Sequence, residues 1–226
     1  MSPLQFDPKT GRVIMPKPVL PYNEDNIVFK CNWNDKGWKG TCSRRARDFN
    51  VSKNHPWCVD KLNTCEGGIG KKKEGYPCNE SYLFVNFQVN PGSYLKGKKR
   101  TEEKHIRGAS KGKLAFLTTI GPGDKEKDRY FIGIFDIEKI EDEREVYGNK
   151  ETSIIITPKI KVKFWKYYKN KDGSIMWGPR QRYFDDKNAL KILLDLNKKY
   201  NKVSGFAKEK KNLDMLIERY KKWAKE

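Results

Sequence analysis

Runs of β-branched and aromatic residues, separated by turn residues, dominate the pattern of apolar and polar positions along the chain. They predict six strands. These strands cover residues 27–33, 81–89, 113–120, 129–137, 153–156 and 158–167. The third and fourth strands form a predicted hairpin, and the last alternates apolar residues with lysines. We therefore expect that strand to have one buried face and one basic face.

Helical spacing of apolar residues appears only near the C-terminus. Asp185 and Asp186 supply N-cap side chains for a first helix that stops before Gly205, and a second amphipathic helix runs from about Ala207 onward. The apolar residues at helical spacing are Leu190, Leu193, Leu194 and Leu196 in the first helix, and Leu213, Leu216, Ile217, Tyr220 and Trp223 in the second. Because the strands precede the helices without alternating with them, we expect an α+β fold built on a small β-barrel.

The charge balance indicates a polyanionic partner. The 226 residues carry 48 Lys and Arg against 29 Asp and Glu, a net charge of +19. A thermophilic source would explain the abundance of charged residues but not the large excess of one sign. Nucleic acid is therefore the first candidate partner, and the charge alone does not distinguish DNA from RNA.

Membrane segments are not predicted. The sequence has no run of eighteen apolar residues, and residues 1–25 are proline-rich and lack the basic and apolar stretches of a signal peptide. We expect a cytoplasmic protein without membrane contact. Residues 1–25 are predicted to form an extended arm.

Catalytic motifs are missing from the sequence. No Walker loop or dinucleotide-binding glycine pattern is present, and the chain has two histidines. We therefore predict no enzymatic activity and no cofactor apart from a structural zinc ion as one alternative. A metal-dependent nuclease, with Asp136, Glu138 and Lys139 as its acidic and basic residues, is the enzyme alternative.

Five cysteines lie in the N-terminal third, at positions 31, 42, 58, 65 and 78. The absence of any C-x-x-C pair makes a zinc ribbon a weak hypothesis. Two structural interpretations remain open for Cys42, Cys58, Cys65 and Cys78, which either form disulfides or bind zinc with four thiolates. Free buried thiols are a third interpretation.

Aromatic and basic residues provide candidates for nucleic-acid binding, because flat rings stack on bases and cations hold phosphates. Trp33, Trp38, Trp165 and Trp177 lie near predicted turns or strand ends. Trp38 and Trp177 are expected to be the most exposed, because each adjoins glycine in a polar turn. The phosphate-binding candidates are Lys98, Lys99, Arg100, Arg107, Arg180 and Arg182.

Two segments resemble the PUA-like superfamily, in particular EVE and YTH domains. They are Lys-Gly-Lys-Leu-Ala-Phe-Leu-Thr-Thr at 111–119 and Tyr-Phe-Ile-Gly-Ile-Phe-Asp-Ile at 130–137. The resemblance covers about residues 80–200. It implies a PUA-like barrel at 81–205, preceded by an arm and Cys-containing extension at 1–80 and followed by a C-terminal helix at 206–226.

Within that superfamily the chain looks most like the N-terminal targeting domain of McrB-type modification-dependent restriction proteins. The resemblance implies that a modified DNA base is flipped into an aromatic pocket. It places Asn86 and Gln88 near the base and gives Trp165 and Trp177 as pocket walls. It also implies an AAA+ motor and a nuclease subunit as partners. An RNA-binding PUA-like module is the alternative.

Overall fold

A computed structural model describes residues 5–6, 13–14, 25–38, 40–53, 58, 76–91, 105–106, 108–178 and 181–223. Its strands are β1 (Gln5–Phe6), β2 (Val13–Ile14), β3 (Asn26–Lys30), β4 (Thr41–Cys42), β5 (Tyr76–Pro77), β6 (Gln88–Val89), β7 (Leu114–Thr119), β8 (Tyr130–Glu141), β9 (Glu145–Gly148), β10 (Ile154–Ile155) and β11 (Arg182–Phe184). Its helices are α1 (Arg44–Ser52), α2 (Asn79–Asn86), α3 (Asp186–Tyr200) and α4 (Ala207–Trp223), with 3-10 turns at Glu126–Asp128 and Phe164–Lys166.

Seven strands form the main sheet in the order β11-β3-β7-β8-β9-β6, and β10 pairs with β8. Strands β3 and β7 are parallel, and the other pairs are antiparallel. The α+β class is confirmed. The expected barrel is not closed: within the described residues the sheet is open, because its edge strands β11 and β6 do not pair with each other. Strand β6 has only two residues, which leaves little backbone for a closing ladder.

Both faces of the sheet are buried, as the uninterrupted burial of β7 requires. One face packs under α3 and α4, with Phe116, Phe131 and Phe184 among its core residues. The other packs under α2 and the chain after β3, with Phe135 and Leu117 in its core. The described helices include none that is long and apolar enough to span a membrane.

The predicted strand at 81–89 is wrong, because residues Asn79–Asn86 form helix α2. Leu83 and Phe84 are buried whereas Tyr82 and Val85 are exposed, so the burial follows a helical period rather than alternation. Phe87 adopts a left-handed conformation with φ 53° and ends the helix, which leaves β6 with only the last two residues of the predicted strand.

The predicted hairpin is confirmed, with β7 antiparallel to β8 and a register shift between Leu117 and Thr118. In the segment 158–167 the expected alternation of burial is present, but the segment is not a strand. It runs beside β8 through the bonds from the Phe131 N–H to the Val162 carbonyl and from the Phe164 N–H to the Arg129 carbonyl.

Both C-terminal helices occur where the sequence predicts them. The Asp185 side chain caps α3 by accepting the Asn188 N–H at 2.7 Å, and α4 begins at Ala207. Tyr220 of α4 hydrogen-bonds through its hydroxyl to the Asn26 side chain of β3. Strand β3 and helix α4, whose bonded residues are 194 positions apart in sequence, therefore meet in one core with the central strands.

Candidate nucleic-acid interface

The candidate site lies at one end of the main sheet, which we call the Arg129 end. The parallel strands β3 and β7 both finish there, at Lys30 and Thr119. Strand β8 begins there, since Tyr130 pairs with Thr119. Strand β11 also begins near this end, at Arg182, which pairs with Val28, two residues before Lys30. The topology thus gathers residues from four strands at one end of the sheet. Loops at the carboxyl ends of neighbouring parallel strands are common ligand sites.

An aromatic–arginine cluster occupies this end. It consists of Arg129, Phe164, Trp165, Tyr168, Trp177 and Arg182. Phe164 is fully buried at its centre and stacks on Tyr168 with ring centroids 5.3 Å apart. The Trp165 and Trp177 rings lie 4.9 Å and 5.0 Å from the Phe164 ring. Both tryptophans are partly exposed. The structure therefore brings together the two predicted pocket walls.

Arg129 is a fully buried cation within the cluster. Glu126 binds its Nε at 2.5 Å and its Nη2 at 2.9 Å, and its guanidinium lies 4.9 Å from the Trp177 ring centroid. Its Nη1 has no hydrogen-bond partner among the described residues. A buried guanidinium donor without an acceptor is costly, and an acceptor on a bound ligand would satisfy it.

Arg182 contacts two rings of the same cluster. Its guanidinium is 5.5 Å from the Tyr168 ring and 6.0 Å from the Trp177 ring, and its Nη2 donates to the Met176 carbonyl at 3.3 Å. These contacts hold a second cation beside Trp177. Of the predicted phosphate-binding residues, Arg182 is the one in this cluster. Lys98, Lys99, Arg100, Arg107 and Arg180 lie outside the described residues.

A lysine pocket of 360 Å³ adjoins the cluster through Glu126, which lines the pocket and bonds to both Arg129 and the Trp165 ring N–H. The pocket is lined by Lys30, Lys53, Ile120, Asp124, Lys125 and Glu126. Its two carboxylates already have partners in the protein: Asp124 accepts the Gly121 N–H at 3.0 Å, and Glu126 binds Arg129. Three lysines face two carboxylates, one of which is paired with Arg129, so the pocket carries an excess of positive charge, which suits a phosphate.

Trp33 lies at the same end of the sheet, three residues after Lys30. Its backbone is fixed by Asn50, which accepts the Trp33 N–H at 3.1 Å and donates to its carbonyl at 2.8 Å. Its ring contacts Phe49 edge-on and hydrogen-bonds the Tyr130 hydroxyl. Trp33 is thus half-buried beside the lysine pocket rather than in the aromatic–arginine cluster.

Three other predicted pocket residues lie elsewhere. Trp38 was expected to be exposed, but it is 3% exposed and packs on Phe84, because the turn at Gly37 folds its ring back into the core. Asn86 is the last residue of α2, and its amide donates to the Tyr82 carbonyl. Gln88 is on β6, at the opposite edge of the sheet from β11, and bonds Glu145 at 2.8 Å.

The cysteines form a separate group near β4 and α2. The four described cysteines, Cys31, Cys42, Cys58 and Cys78, are free thiols, so the disulfide interpretation is not realised among them. Cys65 lies outside the described residues. The Cys42 thiol and the Asn34 amide, 3.1 Å away, both hydrogen-bond to the Cys78 sulfur and hold the pKa of Cys78 well below its usual range. The same bond raises the pKa of Cys42.

A metal site is not formed by the residues that the structure describes, since no three His, Cys, Asp or Glu side chains there are arranged to hold an ion. Zinc binding by the four-cysteine set stays a prediction. The nuclease alternative gains no support. Asp136 is buried and held by Arg219 at 2.6 Å, while Lys139 pairs with Glu141. Asp136 therefore acts as a structural partner of α4.

The sequence did not reveal the residues that complete the site, namely Lys30, Lys53, Lys125, Glu126, Arg129 and Tyr168. The i to i+3 spacing of Glu126 and Arg129 before a strand was the one local signal for an ion pair. Comparisons with protein-family models, with curated proteins and with solved structures found no match to this chain.

Proposed function

We propose that this protein is a nucleic-acid-binding module that stacks one unpaired base in the aromatic–arginine cluster and holds the neighbouring phosphates in the lysine pocket. The observation that carries the proposal is the pairing of a buried guanidinium with partly exposed tryptophans. Arg129 has an unsatisfied Nη1 and lies 4.9 Å from the Trp177 ring. A base offers both a flat face for the rings and acceptor atoms for that donor.

The adjoining lysine pocket supports a polynucleotide rather than a free base. Cationic tracks beside stacking platforms are the usual means of binding single strands, and the net charge of +19 agrees with such a partner. The pocket has three lysines against two carboxylates, and Glu126 is already paired with Arg129, so its net positive charge favours a phosphate close to the stacked base.

The finer proposal is that the base is a modified DNA base. It draws on the resemblance to PUA-like EVE and YTH domains and to McrB-type targeting domains. A methyl group adds apolar surface, and burying that surface against aromatic walls makes the binding free energy more favourable. Trp165 and Trp177 supply two such walls. In such a system an AAA+ motor and a nuclease subunit would be the partners.

The test is fluorescence anisotropy with matched DNA and RNA oligonucleotides, unmodified or carrying one methylated cytosine or methylated adenine, at two salt concentrations. We expect tighter binding to one modified DNA, with a preference that persists at the higher salt. Stacking does not depend on counterion release, whereas phosphate contacts do. Equal affinity for all the oligonucleotides, with a large loss of affinity at the higher salt, would contradict base recognition and indicate a nonspecific polyanion binder.

Two variants separate the roles of base and phosphate. Trp177→Ala should remove most of the preference for the modified base and cost about 1–3 kcal/mol of binding free energy, the usual value of one stacked base. Lys125→Ala, in the lysine pocket, should weaken binding to all oligonucleotides and reduce the salt dependence. Tyr82→Ala, at an exposed aromatic residue of α2, is the matched control. Equal losses of affinity in both variants, for modified and unmodified oligonucleotides alike, would contradict the proposal that a base binds against Trp177.

A further inference from the structure

Two adjacent apolar side chains project into solvent beside the aromatic–arginine cluster. Ile175 is 51% exposed and Met176 is 67% exposed. No other large apolar residues adjacent in sequence are both exposed in the described part of the chain. Trp177 follows directly and turns inward to pack on Phe164. We call these two exposed residues the Ile175–Met176 tip.

The backbone beneath the tip is tightly bonded. The Asn170 amide donates to the Ser174 carbonyl at 2.7 Å and to the Met176 carbonyl at 3.0 Å. Asp172 accepts the N–H of Ser174 at 3.0 Å, and Arg182 donates to the Met176 carbonyl. These four hydrogen bonds fix the backbone of the turn. The turn thus holds the tip out into solvent, and Arg182, which donates to the Met176 carbonyl, is also a member of the cluster.

The charge next to the tip suits a nucleic acid. Lys169 and Lys171 are exposed on the same turn. Proteins that distort duplex DNA insert apolar side chains such as Ile and Met between base steps. When a base leaves the helix, such a side chain fills the space that the base has left and preserves part of the stacking.

We propose that the Ile175–Met176 tip is a wedge that enters duplex DNA and fills the gap left when a base moves into the aromatic–arginine cluster. This inference rests on the proposed function and adds that the substrate is double-stranded DNA. One peptide bond joins Met176 to Trp177, so the wedge and the stacking ring act at neighbouring points of the DNA. Arg182 links the two through its contacts with the Met176 carbonyl and the Trp177 ring.

The experiment uses the double variant Ile175→Ser with Met176→Ser, and Met215→Ser, at an exposed methionine of α4, as the matched control. Binding of fluorescein-labelled DNA is measured with one sequence in three forms: a single strand, a matched duplex and a duplex with one mismatch. Near-ultraviolet circular dichroism of the double variant checks that the packing of Trp177 is retained.

The double variant should bind the matched duplex at least about tenfold more weakly than the wild type, because unstacking a base step costs a few kcal/mol. The loss should shrink on the mismatched duplex, whose bases are already unpaired, and single-strand binding should stay unchanged. Equal matched-duplex binding by the variant and the wild type would overturn the wedge. Wild-type protein that binds single strands but no duplex would also overturn it while leaving the proposed function intact. Absence of binding to every DNA would overturn both.

Discussion

Buried ionisable side chains define the chemistry of this protein at the scale of single residues. The Arg129 guanidinium pairs with Glu126 and lies against the Trp177 ring, so these two residues hold it in place next to the site. Glu80 is the corresponding buried carboxyl on the other face of the sheet. It accepts the Asn32 N–H at 3.0 Å and lies near the Cys78 sulfur. Each of these charges is held by one or two named partners, which makes its role testable by a single substitution.

Glu80 should make stability depend on pH. Burial, and then the neighbouring Cys78 thiolate, raise the pKa of Glu80 from 4.5 to about 7. Between these values the folded chain holds a proton that the unfolded chain has lost. The contribution of Glu80 is therefore most favourable below about pH 4.5 and declines as pH rises to about 7, by up to about 3 kcal/mol.

Glu80→Gln should remove this decline while keeping an acceptor for the Asn32 N–H. Urea unfolding at about pH 5 and about pH 8 measures the free energy of unfolding of the variant relative to the wild type. We expect that difference to move in favour of the variant at the higher pH, whereas Glu138→Gln, at an exposed residue, shows no such change. The same difference at both pH values would mean that Glu80 is not protonated in the folded chain.

At the scale of elements, capping and packing decide where the helices lie. Helix α3 starts at Asp186 because the Asp185 carboxylate accepts the Asn188 N–H. Its buried residues Ile192, Leu193 and Leu196 then face the sheet, whereas Leu194 faces solvent. The leucine spacing alone did not distinguish Leu194 from its buried neighbours.

Asp185→Ala should lower the free energy of unfolding by about 1 kcal/mol, the usual value of an N-cap side chain. Asp185→Asn should retain most of the stability, because asparagine is an equally good N-cap. Both variants can be compared by urea unfolding monitored at a far-ultraviolet wavelength. Loss of stability in Asp185→Asn as large as in Asp185→Ala would show that charge rather than capping stabilises this end of α3.

The elements differ in how far sequence predicts them. The hairpin of β7 and β8 and the two C-terminal helices follow local patterns, so they were predicted well. Helix α2 was missed because Tyr82, Leu83, Phe84 and Val85 favour a strand by composition. Tertiary packing overrides that preference, since Leu83 and Phe84 fit the core beside Phe135 only when they lie on one helical face.

At the scale of the whole molecule, the order of strands creates the site. Strand β3 inserts between β11 and β7, which brings Lys30 and Trp33 beside residues about 90 to 150 positions later in the chain. Such convergence has no local signature. Sequence analysis therefore found Trp165, Trp177 and Arg182 one by one, while Arg129 and the lysine pocket became visible only in the fold.

The salt dependence of binding tests most directly whether the Arg129 end binds nucleic acid. Anisotropy titrations of a labelled single-stranded DNA across a salt series compare the wild type with the triple variant Lys30→Ala, Lys53→Ala, Lys125→Ala. The single variant Lys111→Ala, at an exposed residue before β7 at the opposite end of the sheet, is the control. Each phosphate contact contributes about 0.7 to the slope of log K against log salt for single strands. We predict a slope reduced by about 2 in the triple variant and by almost nothing in the control. Equal slopes for the wild type and the triple variant, with binding retained, would place the nucleic acid on another surface and contradict the account.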